Sequence, residues 1–321
     1  MNKEKYVVVI GAANIDIGGT PYKPLIPGDS NPGVIKMSYG GVGRNIANNL
    51  SMLGVEVKLV TAAGDDTLGK EMLEKCKAAG IDTSLSVVVP GASSSMYLFI
   101  NDDEGEMDLA LSHVDIMEHI TPEYIESISG VLDSASIVVA DCNLSRETLM
   151  KLKDVCNTPL YVDTVSVSHA DKIKGDLEGI DTLKPNLLEA EYLTDMIIET
   201  ENDFIEAARA LIDQGVRRVF ISAGPHGMLA ADRDHAVMVD RYPADVRCTT
   251  GAGDSAMAAI IWSSLNDGGE RLTDPAKAAN AAASATISVD PTIHPDMSSS
   301  LIKKMIRDHE DEIIIRDIKE I

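Results

Sequence analysis

Aromatic side chains are scarce in this chain of 321 residues: Phe, Trp and Tyr together make up 4%, although 45% of the residues are hydrophobic. The core must therefore be filled by Val, Ile, Leu, Ala and Met, which favours an aliphatic parallel sheet covered by helices. Basic residues are also in short supply, 28 Lys and Arg against 51 Asp and Glu, for a formal net charge of −23. That deficit argues against a nucleic acid polymer or an anionic membrane as partner. A polyphosphate guest would need local backbone donors, a divalent metal and a few well-placed cations rather than the overall field. The acidity itself reads as a solubility or salt-adaptation trait. The four cysteines, Cys76, Cys142, Cys156 and Cys248, include no C-x-x-C pair and have no His-rich companions. They read as reduced, mostly buried thiols of a cytoplasmic protein. No run approaches the roughly 18 apolar residues of a membrane span, and the chain enters a strand at Tyr6 without signal-peptide architecture, so a soluble protein is expected.

What is present alternates. Hydrophobic patterning predicts strands over 6–10, 55–63, 137–140, 160–162, 180–183 and 218–222, and helices over 43–53, 68–79, 123–132, 146–155, 189–196 and 203–213. Repeated βα units of this kind indicate a single α/β domain over 1–321, with a mainly parallel sheet and helices on both faces. Two stretches break the rhythm, about 15–39 and 84–111. Both read as strand-rich, the second with strands over 84–90 and 94–101 and a polar hairpin tip at Asp102–Gly105. The segment 301–321 reads as a charged amphipathic helix.

Chemistry concentrates where glycines meet helix starts. Cys248-Thr-Thr-Gly-Ala-Gly-Asp254-Ser255 precedes an apolar small-residue run and reads as a glycine loop feeding a helix. Unobstructed backbone N–H groups and the helix dipole favour an anion there. Asp254, in the first turn, either complements that dipole or accepts a proton from a hydroxyl at the same spot. A second glycine cluster, Gly40-Gly-Val-Gly-Arg-Asn45, opens another helix. Asn14 and Asp16 follow the first strand at its carboxyl end, as an Asx turn or as a grip on vicinal hydroxyls. Lys184-Pro-Asn186-Leu-Leu-Glu189 carries a capping box at a helix start. Gly64-Asp-Asp-Thr-Leu-Gly69-Lys70 comes close to a P-loop, but Glu71 stands where the magnesium-binding hydroxyl belongs, so it reads as a strand-to-helix turn. No G-x-G-x-x-G follows a strand.

Together the two glycine signatures resemble those of the ribokinase-like (PfkB) carbohydrate and nucleoside kinases. The resemblance implies a three-layer α/β/α sandwich with a small β lid formed by about 15–39 and 84–111; a plain β-rich edge of the sheet is the alternative for those stretches. It also implies ATP as donor and Mg²⁺ as cofactor. Gly251, Ala252 and Gly253 would form the anion hole for the transferring phosphoryl group, and Asp254 would be the catalytic base. Asn14, Asp16, Gly40, Gly41 and Asn45 would hold the sugar. Asn186 and Glu189 would organise magnesium through water. Ser222, Gly224 and Gly227 would lie over the nucleotide, with Thr249 beside its phosphates and Asn280 near the adenine; an ordinary β-turn and dense helix packing are the alternatives at these last positions. Arg44 is a cation available to the acceptor side or a surface residue.

Gly28-Asp-Ser-Asn-Pro-Gly33 and Ser38–Ala47 resemble the pseudouridine kinase branch of the family. They imply a nucleoside acceptor, with Ser30 and Asn31 toward its base and Asp163 and Thr164 at the pocket, and a homodimer through the lid. Another nucleoside or sugar kinase, or a non-catalytic nucleotide-binding regulator, remains the alternative. The chain departs from the family at Cys248, where Asp is usual. A thiol offers no hard oxygen to a monovalent cation, which puts potassium dependence in doubt.

Overall fold

The computed structural model describes residues 6–103, 107–267 and 271–318. Strand β1 (Tyr6–Ile10) is buried along its whole length, and its residues alternate between two cores. Val8 and Ile10 face one apolar cluster, Val7 and Val9 the other. Only a strand covered by helices on both faces is read this way by the period-two alternation of side chains.

After β1 the chain leaves the main sheet. Strands β2 (Asn14–Pro21) and β3 (Gly33–Gly40) pair antiparallel. Helix α1 (Val42–Met52) then returns to the main body and feeds β4 (Glu56–Val60). The expected strand 55–63 divides at Thr61. Strand β5 (Ala62–Gly64) peels away, helix α2 (Thr67–Ala78) follows, and β5 pairs with β6 (Val87–Val89) in a sheet of two. The stretch 84–90 is therefore mostly turn, and its three-residue strand stays out of the excursion it was expected to join. Strands β7 (Met96–Asn101) and β8 (Met107–His113) do join β2 and β3, in the order β3-β2-β7-β8. Of the hairpin tip, Glu104 and Gly105 lie outside the described residues.

The helix expected over 123–132 is two short ones, α3 (Pro122–Ser127) and α4 (Ser129–Ser134). The alternation then runs β9 (Ile137–Asp141), α5 (Arg146–Val155), β10 (Leu160–Asp163), α6 (Val167–Ala170), β11 (Thr182–Lys184), α7 (Leu187–Thr194), α8 (Glu201–Asp213) and β12 (Arg218–Ser222). Strands β13 (Met228–Ala231) and β14 (Ala236–Val239) add an antiparallel edge. Helices α9 (Ala252–Asp267) and α10 (Thr273–Ile287) pack together, both contributing buried alanines to the second core, Ala256, Ala258 and Ala259 from one and Ala278, Ala281 and Ala282 from the other.

The C-terminal segment corrects the expectation of one long helix. Helix α11 (Ser299–Asp308) stops at His309, and β15 (Ile315–Ile318) becomes the outer strand of the main sheet. Ile313 packs on the second core and Ile318 on the first, while Arg316 pairs with Asp240 at 2.9 Å and Glu201 at 3.0 Å. A helix would leave the unpaired edge of β14 bare.

The nine-stranded sheet runs β15-β14-β13-β12-β11-β10-β9-β1-β4, parallel from β12 to β4. Strand β1 lies between β4 and β9, so the chain reverses its winding direction beside it, and the crevice opens beyond the carboxyl ends of these strands.

The four-stranded sheet has two unlike faces. By register Asp16, Gly18, Ser38, Tyr97 and Phe99 share one, and Ile17, Ile35, Met37, Leu98, Leu109 and Leu111 share the other. The second face is apolar and open, with Ile35 at 77% and Leu111 at 63% exposure.

Removing residues 311–321 should strip β14 of its partner. We expect a melting midpoint lower by a few degrees, where about 1 kcal/mol shifts a domain of this size by roughly 1.5 °C, and stronger light scattering on heating. An unchanged midpoint would contradict the role given to β15.

Candidate active site

The site is assembled at the carboxyl ends of β1, β9, β10 and β11. Its floor is fastened by Asp141, the last residue of β9. The Asp141 carboxylate accepts hydrogen bonds from the backbone of Ala12 at 2.9 Å, Gly43 at 2.8 Å and Asn143 at 2.9 Å. Glycine is required at 11 and 43: a Cβ on Gly11 would collide with the Asp141 carboxylate, and one on Gly43 would lie 2.7 Å from the Gly11 backbone. Burial pushes the Asp141 carboxyl up to about 6. Sequence reasoning passed over this residue, whose signal is a carboxylate closing an otherwise apolar strand.

On this floor α1 starts at Gly41, whose φ of 91° has the Cβ-forbidding sign. The first turn delivers Arg44 and Asn45. Asn45 is 4% exposed and donates from its Nδ2 to Oδ2 of Asp254 at 2.8 Å, across 209 residues of sequence. Arg44 donates to the Tyr39 carbonyl and, at 3.0 Å, to Oδ1 of Asn45, which fixes the orientation of that amide. It is a half-buried cation beside Asp16 and Asp254, and burial pulls its guanidinium below its usual value.

Strand β2 brings Asn14 and Asp16 to the same edge. They form a ladder with Gly40 and Ser38 of β3, not an Asx turn. The Oδ1 of Asn14 is buried without a hydrogen-bond partner within the protein, an acceptor left for a guest. Asp16 lies against Gly40, where a Cβ would collide with its carboxylate. Burial raises the Asp16 carboxyl to about 6, against the pull of Arg44. Tyr97 and Phe99 stand beside Asp16 and Gly18 on this face, their ring centroids 5.9 Å apart; sequence reading had assigned them only to a strand.

Asp254 sits in the first turn of α9 and is 8% exposed. Burial pushes its carboxyl up to about 7, Asp163 and Asp141 adding to the rise while Asn45 and Lys184 oppose it. Gly251 takes a φ of 84°, and a Cβ there would strike the carbonyl of Thr292, so Gly251 is fixed by both backbone and space. A Cβ on Gly253 would lie 3.4 Å from Nζ of Lys184. Thr249 is exposed, its carbonyl accepting from the Ala252 backbone at 3.4 Å.

Lys184 ends β11 with its side chain 5% exposed and its ammonium 3.0 Å from Oδ2 of Asp163. The other oxygen of Asp163 accepts from the Val165 backbone at 2.9 Å, so this carboxylate faces inward to the lysine. Glu189 accepts from the Asn186 backbone at 2.8 Å, the Asn186 amide at 2.7 Å and the Thr164 hydroxyl. The capping box is present, and Glu189 is 3% exposed. Among the described residues no group of three His, Cys, Asp or Glu side chains could cage a metal. A carboxylate held this firmly suits a hydrated Mg²⁺, which keeps several waters, better than a bare one.

Toward β12 the grouping loosens. Ser222 pairs with Asn186 in an isolated bridge, joining the two loops. Gly224 has φ 54° and nothing within 4 Å of a Cβ position, whereas a Cβ on Gly227 would strike the Val239 carbonyl. Asn280 is buried in α10 and donates to the Val239 carbonyl at 2.8 Å, a bond that ties the helix to β14. Ser30 and Asn31 are not brought to Asp16. Asn31 closes its own loop, accepting from the Ile26 backbone at 2.8 Å and donating to the Ile26 and Asp29 carbonyls. With Leu25 it borders a cavity of about 340 Å³ against Ile17, Ile35 and Leu98, on the apolar face.

The native Asp254 holds its proton to about 7, against 3.8 for an ordinary Asp. Between those values the unfolded chain releases a proton that the native state keeps, so this group's contribution to stability falls as pH rises. Urea titrations of wild type and Asp254→Asn at pH 5 and pH 8 should show the variant gaining relative stability at the higher pH. A pH-independent difference would overturn the protonated buried state.

Comparison with known proteins agrees with this geometry. The pfkB family of carbohydrate kinases matches residues 4–298. Pseudouridine kinase of Escherichia coli (strain K12) is 35% identical over 312 residues, 97% of this chain and 99% of that protein. Guanosine-inosine kinase of Exiguobacterium acetylicum is 29% identical over 266 residues, 81% of this chain and 87% of the relative. The ribokinase of Arabidopsis thaliana, solved with ribose and ATP, shares the fold with a TM-score of 0.83 at 22% identity, over 94% of this chain and 99% of that one. A ribokinase-like α/β sandwich with both glycine signatures at the carboxyl edge of its sheet, matched over nearly its full length, identifies the chain as a member of the pfkB family of sugar and nucleoside kinases.

Proposed function

We propose that this kinase transfers the γ-phosphoryl group of ATP to the 5′-hydroxyl of a nucleoside, pseudouridine before others. The observation that carries the reading is Asp254: a buried carboxylate at the start of α9, beside the Gly251–Gly253 loop and held by Asn45. Asp254 takes the hydroxyl proton as the 5′-oxygen attacks the γ-phosphorus; the bond to the β,γ-bridging oxygen breaks, and ADP leaves. Backbone N–H groups of Gly251, Ala252 and Gly253 meet the charge on the transferring group. Asn14, Asp16, Gly40, Gly41 and Asn45 hold the ribose. Ser222, Gly224, Gly227, Thr249 and Asn280 line the nucleotide side. Asn186 and Glu189 would hold a hydrated Mg²⁺, which would neutralise the polyphosphate in a protein of net charge −23.

An acceptor with a planar base is favoured over free ribose by Tyr97 and Phe99, which offer ring surface next to Asp16 in a chain with few aromatics. Pseudouridine is favoured among nucleosides by the 35% identity over 97% of the chain to the kinase of that substrate. Asn31, turned to the opposite face, is better suited to a neighbouring copy than to its own acceptor. The apolar face around Ile35, Met37 and Leu111 supports a homodimer through the lid.

Pseudouridine, uridine, adenosine, inosine and ribose assayed with ATP should give the highest kcat/KM for pseudouridine; a clear preference for another acceptor overturns that assignment. Asp254→Asn should lower kcat by about 10³-fold, within the range of general-base contributions, and wild-type kcat/KM should rise with pH through about 7 as Asp254 loses its proton. Undiminished turnover in the variant would remove Asp254 from the role. Ile35→Lys combined with Leu111→Lys should reduce the solution mass from two chains to one by light scattering, and a monomeric wild type would refute the dimer.

A further inference from the structure

The Lys184 side chain is 5% exposed, and its ammonium, which carries three hydrogens, is ion-paired with Asp163 at 3.0 Å. Asp163, within ion-pair distance, supplies the opposite charge that a buried ammonium needs. Buried donors are ordinarily satisfied. The space next to Nζ is the glycine loop: the Cβ that Gly253 lacks would lie 3.4 Å away, and any larger side chain would come between the ammonium and the anion hole. The geometry therefore joins a fixed cation with unused donors to backbone N–H groups at the start of α9. Arg44, the other cation of the site, is engaged with Tyr39 and Asn45 on the acceptor side.

We propose that Lys184 is a catalytic residue whose ammonium hydrogen-bonds the γ-phosphoryl oxygens of the donor nucleotide at the Gly251–Gly253 loop, with Asp163 as its positioning partner. The inference rests on the proposed ATP site but on neither the identity of the acceptor nor the role of Asp254. It predicts that Lys184 distinguishes a triphosphate from a diphosphate, because only the former has the group that Lys184 touches.

The test is calorimetric titration of the full chain, in magnesium buffer without acceptor, with ADP and with the non-hydrolysable ATP analogue that carries an imido group between its β and γ phosphorus atoms. Lys184→Met should weaken the triphosphate analogue by about tenfold or more, the range of a charge-assisted hydrogen bond, and leave ADP within about twofold. Lys184→Arg should restore part of the difference. Because a lone buried Asp163 can unfold the single variant, the double variant Lys184→Met with Asp163→Asn removes both charges, and it should show the same selective loss. Equal weakening of both nucleotides, or none, in a folded variant overturns the proposal. A wild type that binds neither nucleotide overturns the donor reading beneath it as well.

Discussion

A buried carboxylate at the end of β9 fastens three segments that are distant in sequence. Asp141 accepts from Ala12, Gly43 and Asn143, and in doing so locks the loop after β1 to the first turn of α1. Everything above depends on that junction. With α1 fixed, Asn45 reaches across to Asp254; with the loop after β1 fixed, β2 leaves the sheet at the angle that carries Asn14 and Asp16 to the same edge. Glycines at 11 and 43 are the steric condition for the junction, since side chains there would occupy the space that the carboxylate and the backbone share.

Electrostatics at this edge run against the rest of the molecule. The chain as a whole repels anions, yet two cations, the half-buried Arg44 and the buried Lys184, are set among Asp16, Asp163, Glu189 and Asp254. Each cation has carboxylates close enough to balance its charge. Burial pushes Asp254 and Asp16 up to about 7 and about 6, against the pull of Lys184 and Arg44. A site of this kind meets a polyphosphate with local donors while the surface remains acidic.

Much of this was legible from residue patterns. The aliphatic strand 6–10, the glycine clusters at 40–43 and 251–253, and the capping box at 186–189 each have a local physical cause, and each appears in the structure. The failures share the opposite property. Residues 310–318 were read as helix from charge and apolar spacing, but the strand there is decided by the bare edge of β14, which no local pattern encodes. Likewise β6 was assigned to the excursion because it is apolar and nearby, whereas pairing with β5 depends on where the chain leaves the main sheet at Thr61. Asp141 and Lys184 were invisible for a related reason. A lone charge at the end of a strand looks like any strand terminus until the neighbouring segments are in place. Asn31 stands apart from these: its residue type suits recognition, while its amide is engaged by the turn that contains it.

Strand β2 carries Asp16 on one face and Ile17 on the other, one residue apart. Side chains of a strand change sides at every step, so inserting or deleting one residue within β2 would turn Asp16 outward and bury an isoleucine in the polar pocket. The connection from Tyr22 to Pro32 bears no such restriction, since its ends already pair across the ladder at Tyr22 and Pro32. Length variation in this part of the molecule is thereby channelled into one loop. Lengthening or trimming that one segment leaves Asn14 and Asp16 in fixed register against Gly40 and Ser38.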